Sequence, residues 1–190
     1  MRHLTAVLLC TCALPAFATD STDPAAKARA FAATALQTWA RNPLIIAAVR
    51  DQNTRHGALS QTDINALDKA WMDELGKSVQ PTITSVIASA PSALLRQQIE
   101  QSAGLVTEVF VMDFLGLNVA ASGATSDYWQ GDEAKFNETY PKGAEAIHVS
   151  EVDFDESAQL YQIQVSFTLT DPADNTVIGA ITVGLNAEQL

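Results

Sequence analysis

The hydrophobic pattern of this chain changes period near Gly104, and that change sets the fold class. Between Pro24 and Ser102 apolar residues recur three and four positions apart: Phe31, Ala35 and Trp39, then Ile64, Leu67, Trp71, Met72 and Leu75, then Leu94, Leu95 and Ile99. After Gly104 the spacing becomes two. Ile163, Val165, Phe167 and Leu169 alternate with Gln162, Gln164, Ser166 and Thr168, which is a strand with one polar face. Helices followed by strands predict an α+β fold with an antiparallel sheet.

Local signals divide these two halves. Asp23-Pro24 is a helix start, and Pro43 kinks or restarts a long N-terminal helix whose second piece carries Leu44, Ala47, Ala48 and Val49 inward. Trp39 reads as a core residue of that helix. Ser60 to Asp63 opens a second helix that ends at Gly76, and Pro81 and Pro91 separate two further helices, Thr82 to Ala90 and Ser92 to Ser102. Five strands follow: Leu105 to Met112, Leu117 to Ala121, Ala146 to Phe154, the alternating run, and Thr176 to Asn186. Asp113-Phe114-Leu115-Gly116 joins the first two as a hairpin, with Asp at the start of the turn and Gly where φ is positive.

Residues 1–18 have the form of a secretory signal peptide. Arg2 and His3 give a basic start, Leu4 to Leu14 is apolar, and Ala16-Phe17-Ala18 is an A-x-A cleavage site. Both cysteines, Cys10 and Cys12, fall inside it, so the exported chain has no thiol for a disulfide, a metal or catalysis. A single domain of this length buries roughly 70% of its unfolded surface, enough to stand without such staples. The expected organisation is a helical region, 19–103, and an antiparallel sheet, 104–190, of one domain. Acidic residues number 22 against 11 basic ones, for a net charge of −11, which argues against nucleic acid and anionic membrane surfaces. No apolar run after the signal reaches the ~20 residues of a membrane span, so the exported protein is expected to be soluble.

Between the hairpin and the later strands lies a turn-rich segment, Ser122 to Ser126, and then a polar and aromatic cluster, Asp127-Tyr128-Trp129-Gln130-Gly131-Asp132-Glu133. Tyr128 and Trp129 supply flat apolar surface with a polar handle, and Asp127 and Gln130 can orient a ligand by hydrogen bonds. The same residues can instead close the core through Trp129 and cap a short helix through Gly131-Asp132-Glu133. Asp113 at the hairpin and Lys135, the one nearby cation, complete the candidate binding set.

Taken in order, EVFVMDFLGLNVAASGATSDYWQGDEAKF, HVSEVDFDES and DPADNTVIGAITVGLN resemble the Cache family of extracytoplasmic, PAS-like sensor domains, also called PDC sensors. The resemblance covers about the last ninety residues by motif. It implies a PAS-like five-stranded antiparallel sheet, a small-molecule ligand of unidentified class, and signal transduction through a membrane receptor or histidine kinase. Cache relatives that bind amino acids carry Arg and Trp after the hairpin. Here Trp129 is present, but no arginine follows Arg96, so an amine, a metal ion or a neutral ligand fits better than a bare carboxylate. Membrane-bound relatives continue into a transmembrane helix after the last strand. This chain ends at Asn186-Ala187-Glu188-Gln189-Leu190, so the expectation is a free-standing periplasmic sensor with a separate membrane partner. A homodimer through the Ala-rich helix stays open.

Catalysis finds no support in the motifs. There is no G-x-S-x-G, no phosphate-cradling glycine loop, and only His56 and His148 outside the signal. Three acidic groups, Asp127 with Asp132 and Glu133, Asp153 with Asp155 and Glu156, and Asp171 with Asp174, do not match a calcium loop. A divalent-cation site shared between two of them, or a ligand-free interaction protein, is the alternative to the sensor. No cofactor is expected.

Overall fold

The structure, a computed structural model, describes residues 23–155 and 159–190, with residues 36 and 37 as backbone only. The expected signal peptide, 1–18, lies outside the described residues. Helix α1, Pro24–Thr38, starts where Asp23 accepts the Ala25 N–H at 3.1 Å, with Pro24 in the first turn. Helix α2, Pro43–His56, starts in the same way, with Asn42 accepting the Leu44 N–H at 2.9 Å. The expected long N-terminal helix is therefore broken in two. Pro43 has no N–H to continue α1 and drives Asn42 to an extended conformation, φ −65° and ψ 124°. Of the expected inward residues of α2, Val49 is buried and Ala48 packs against the core, whereas Leu44 is 42% exposed and Ala47 is exposed; Ile45, Ile46, Gln52 and His56 complete the buried face.

Helix α3, Gln61–Glu74, carries a complete capping box between Ser60 and Asp63, and the chain leaves it through Gly76 at φ +73°. Helix α4, Pro81–Ile87, is capped from a distance. The Glu74 carboxylate accepts the Thr82 and Ile83 N–H groups at 3.1 and 3.0 Å. Helix α5, Ala90–Gln101, follows behind Ser89, whose hydroxyl accepts the Ser92 N–H.

The strands are β1 Val106–Met112, β2 Asn118–Ala121, β3 Ile147–Val149, β4 Asp153–Asp155, β5 Leu160–Thr170 and β6 Val177–Asn186. They form an open antiparallel sheet in the order β2-β1-β6-β5-β3, with β4 also paired to β5. The expected strand from Ala146 to Phe154 is two short ones. Val149 pairs Val165 and Asp153 pairs Gln162, which sets four steps of edge strand against three of β5. The extra residue bulges, and the Ser150 hydroxyl accepts the Gln164 N–H at 2.9 Å in place of a backbone carbonyl.

The sheet has two buried faces of different character. On one, Val109, Val111, Ile163, Val165, Phe167, Leu169, Ile181, Val183 and Leu185 meet Ala28, Ala32 and Ala35 of α1, Ile45, Ile46 and Val49 of α2, and Leu95 of α5. The Ala-rich stripe is thus committed to packing on the sheet, where small side chains let α1 lie close to β5. Trp39 packs against this core and meets Phe31 edge-on at 5.9 Å. The second face carries Ser166, Thr168 and Thr182, all buried. Covering it is the segment 122–146, with the short helix α6, Ala134–Asn137, and a 3₁₀ turn, Tyr140–Lys142. Phe136 packs into the smaller apolar cluster with Phe110, Met112 and Ala180, and stacks on Tyr140 at 5.3 Å.

The hairpin turn holds this arrangement in register. Gly116 sits at φ +85°, and a Cβ there would lie 2.6 Å from the Gly131 Cα. Gly116→Val is expected to destabilise the protein by more than about 1 kcal/mol in urea denaturation, from the lost positive-φ conformation and the collision together. An unchanged denaturation midpoint would overturn this placement of the turn.

Candidate functional site

The loop that follows β2 is seated by a buried carboxylate. Asp113 is fully buried. Its Oδ1 accepts the Leu115 and Leu117 N–H groups at 2.9 and 3.0 Å, closing the hairpin turn. Its Oδ2 lies 2.7 Å from His56 Nδ1 and accepts the Gln52 amide at 3.1 Å, tying the turn to α2. Gln52 also donates to the Asn118 carbonyl, and Asn53 of α2 accepts the Phe114 N–H. With both oxygens so engaged, Asp113 belongs to the frame behind the groove described below.

Tyr128 and Trp129 belong to the same frame. Asp68 of α3 accepts both of their backbone N–H groups at 2.9 Å. The Tyr128 ring is 7% exposed and stacks on Trp71 at 5.3 Å. The Trp129 indole N–H donates to the Leu115 carbonyl at 2.8 Å, against Gly131, where a Cβ would collide with the ring. Asp127 accepts the Ser126 hydroxyl at 2.7 Å, and its backbone carbonyl gathers Asn118, Thr125 and Gln130. Gln130 and Lys135 are the two members of the sequence-predicted set that reach open space. The Gln130 amide oxygen accepts Lys135 Nζ at 3.2 Å, and the ammonium also pairs with Glu133 at 2.9 Å and lies over the Phe110 ring.

That space is a groove on the polar face of the sheet. One lobe of about 440 Å³ is lined by Gln130 and Lys135 together with Glu108, Phe110, Gln162 and Gln164. A second of about 360 Å³ shares Glu108, Phe110, Ala124 and Thr125 with it and is bounded by Arg96 of α5. A third, also about 360 Å³, shares Asp155, Gln162 and Gln164. Volumes in this range suit small organic ligands. Sequence reasoning missed Glu108, Gln162 and Gln164 as site residues. The signal was the alternation of β5 and the one acid inside the apolar run of β1, Val106-Thr107-Glu108-Val109.

The remaining chemistry is dispersed. Among the described residues no three His, Cys, Asp or Glu side chains come together to hold a metal ion. His56 is spent on Asp113, and His148 lies apart on β3, opposite Ser166. Asp153 and Asp155 sit on β4, while Glu156 lies outside the described residues. Also among the described residues, no helix is long and apolar enough to cross a membrane.

Two measurements check this frame. Asp113→Ala would orphan His56 and two backbone N–H groups and remove one acceptor of Gln52, and is expected to cost about 3 kcal/mol or more of unfolding free energy. A loss below about 1 kcal/mol would contradict the hub. Burial, and then the nearby Asp113 carboxylate, push the Tyr128 phenol up to about 12. The folded value lies above the unfolded one near 10, so the neutral phenol contributes stability that is complete below about pH 10 and lost as pH rises through about 12. Stability is expected to fall between pH 10 and 12 in the parent and to fall less in Tyr128→Phe; equal slopes would contradict a buried phenol.

No family model matches the chain, and no curated protein does. Solved structures do. The ligand-binding domain of the Campylobacter jejuni chemoreceptor Tlp3, in complex with 4-methylisoleucine, is 15% identical over 93% of this chain and 65% of that one, with a TM-score of 0.40. The sensor domain of the V. cholerae histidine kinase DctB is 14% identical over 75% of this chain and 58% of its own, with a TM-score of 0.39. An extracellular ligand binding receptor from Desulfohalobium retbaense is 15% identical over 76% of this chain and 25% of its own, also with a TM-score of 0.39. The chain therefore spans less than two thirds of the length of these proteins. At such identities and TM-scores, what these domains bind does not say what this groove binds.

Proposed function

We propose that this protein is an exported, Cache-type sensor domain that binds a small polar molecule in the groove and presents its state to a separate membrane signalling partner, a receptor or a histidine kinase. The observation that carries the reading is the covered polar face: Glu108, Gln162 and Gln164 line open lobes of ligand size, with segment 122–146 laid across the sheet. A face that only needed burial would be apolar, because polar side chains under a cover lose solvation that packing does not return. Gln130 and Lys135 contribute contacts from the cover, and Asp127, Tyr128, Trp129 and Asp113 hold that cover in place. Export by residues 1–18 would put the domain in the periplasm.

Relay follows from the way the cover is attached. Thr125 lines two of the lobes, and its carbonyl accepts the Trp71 indole N–H of α3 at 2.8 Å. Asp68 of the same helix holds Tyr128 and Trp129. A ligand that favours one position of Ser122 to Gly131 thereby favours one position of α3, and a partner that prefers that position reads the occupancy.

The test is a thermal-shift screen of the exported protein against amines, amino acids, carboxylates, nucleobases and divalent ions with a chelator control. A dose-dependent rise is expected for one class, roughly 2.7 kcal/mol at a hundred times Kd. Ala124 is exposed at the mouth shared by two lobes, so Ala124→Trp is expected to fill the groove and abolish the rise without changing the melting temperature of the free protein. A flat response across the panel would overturn the ligand reading in favour of a ligand-free interaction protein.

A further inference from the structure

We infer that the groove selects ligands carrying an ammonium group and that the Glu108 carboxylate receives it; this rests on the groove being a ligand site. In the sheet Glu108 of β1 pairs Gly184 of β6, which in turn pairs Gln164 of β5. A side chain on the middle strand would separate the outer two. Gly184 has none, and a Cβ there would lie 2.7 Å from the Glu108 Cγ, 2.7 Å from the Gln162 amide oxygen and 2.6 Å from the Thr107 hydroxyl. Across that gap Glu108 Oε1 accepts both amides, Gln162 Nε2 at 2.7 Å and Gln164 Nε2 at 2.8 Å, while the Gln162 oxygen accepts the Thr107 hydroxyl. One oxygen of the carboxylate is thus fixed by two neutral donors. The other, Oε2, carries no hydrogen bond among the described residues, and Glu108 lines two of the lobes, including the largest of the three.

Among the described residues no cation pairs with this charge. Lys135 pairs with Glu133 and Gln130, and Arg96 donates to the Ile87 carbonyl at 2.7 Å. Glu100 and Asp155 also line these lobes, so that three acids stand against the two cations. A half-buried carboxylate held only by neutral amides has lost part of its hydration without gaining a counter-charge, and an ammonium placed against Oε2 restores it. Three N–H donors need three acceptors. The Gln164 amide oxygen, which takes no hydrogen bond among the described residues, complements Oε2 in the same lobe, and solvent takes the third N–H. A carboxylate ligand would meet repulsion there, and a neutral alcohol would leave the charge unanswered.

The test uses four probes that differ only in their end groups, butylamine, 1-butanol, butyrate and 4-aminobutyrate, titrated by thermal shift and by amide chemical-shift perturbation. Glu108→Gln keeps the oxygen that both glutamines use and removes only the charge, so the free protein is expected to melt as the parent does. Butylamine and 4-aminobutyrate are expected to bind the parent and 1-butanol and butyrate not to, with amine affinity falling about ten-fold or more in Glu108→Gln. Amine affinity unchanged in Glu108→Gln would overturn the inference, as would preferential binding of butyrate, or silence of all four probes. A response from another class in the wider screen, abolished by Ala124→Trp, would leave the ligand reading standing while this assignment fell.

Discussion

A carboxylate with no solvent contact at all, Asp113, is the constraint on which the rest of this structure depends. An unpaired charge in such a place is costly by several kcal/mol, so the fold must bring donors to it, and it does so from two directions. The hairpin supplies two of its own backbone N–H groups, and α2 supplies His56 and Gln52. Those four contacts fix the turn, the start of β2 and the last turns of α2 relative to one another. Gly116, which the turn needs at positive φ, then lies so close to Gly131 that it has no room for a Cβ, and Gly131 has none because of the Trp129 ring and the Leu115 carbonyl. The loop carrying Tyr128 and Trp129 is therefore positioned by a hydrogen-bonded core some distance from the groove that it covers.

A second constraint shapes the groove itself. β6 runs through the middle of the sheet, and on the covered face it presents Ala180, Thr182 and Gly184, small residues in succession. Larger ones would fill the space between β1 and β5. Because they are small, Ser166 and Thr182 meet hydroxyl to hydroxyl at 2.9 Å, and Glu108 reaches the two glutamines over Gly184. These contacts tie polar side chains of β1, β5 and β6 together across the sheet, and the volume above them stays open under the loop. In the proposed sensor the hydrogen-bonded floor would recognise the ligand and the tethered cover would move.

The aromatic cluster shows how one stretch of sequence can support two readings until its contacts are known. Tyr128 and Trp129 carry the composition of a binding site, yet Asp68, Trp71 and the Leu115 carbonyl take them into the frame. Gln130 and Lys135, only a few residues on, do reach the groove. Glu108 carries no local mark beyond being acidic in an apolar run. Its importance comes from what stands opposite, and its glutamine partners are 54 and 56 positions away.

By itself the sequence determined the helix starts at Asp23 and Ser60, the turns at Gly76 and Gly116, the hairpin, and the change from helix to sheet at Gly104. Each of these is decided within a few residues, by a cap, a missing Cβ or a side-chain period, so it can be read without knowing the fold. Only the tertiary structure decided which face of β5 is covered, that the acid of the hairpin is buried, and that the groove belongs to Glu108, Gln162 and Gln164. Those outcomes depend on strand order, since three antiparallel strands must lie side by side before a carboxylate on β1 and two amides on β5 can meet over a glycine on β6.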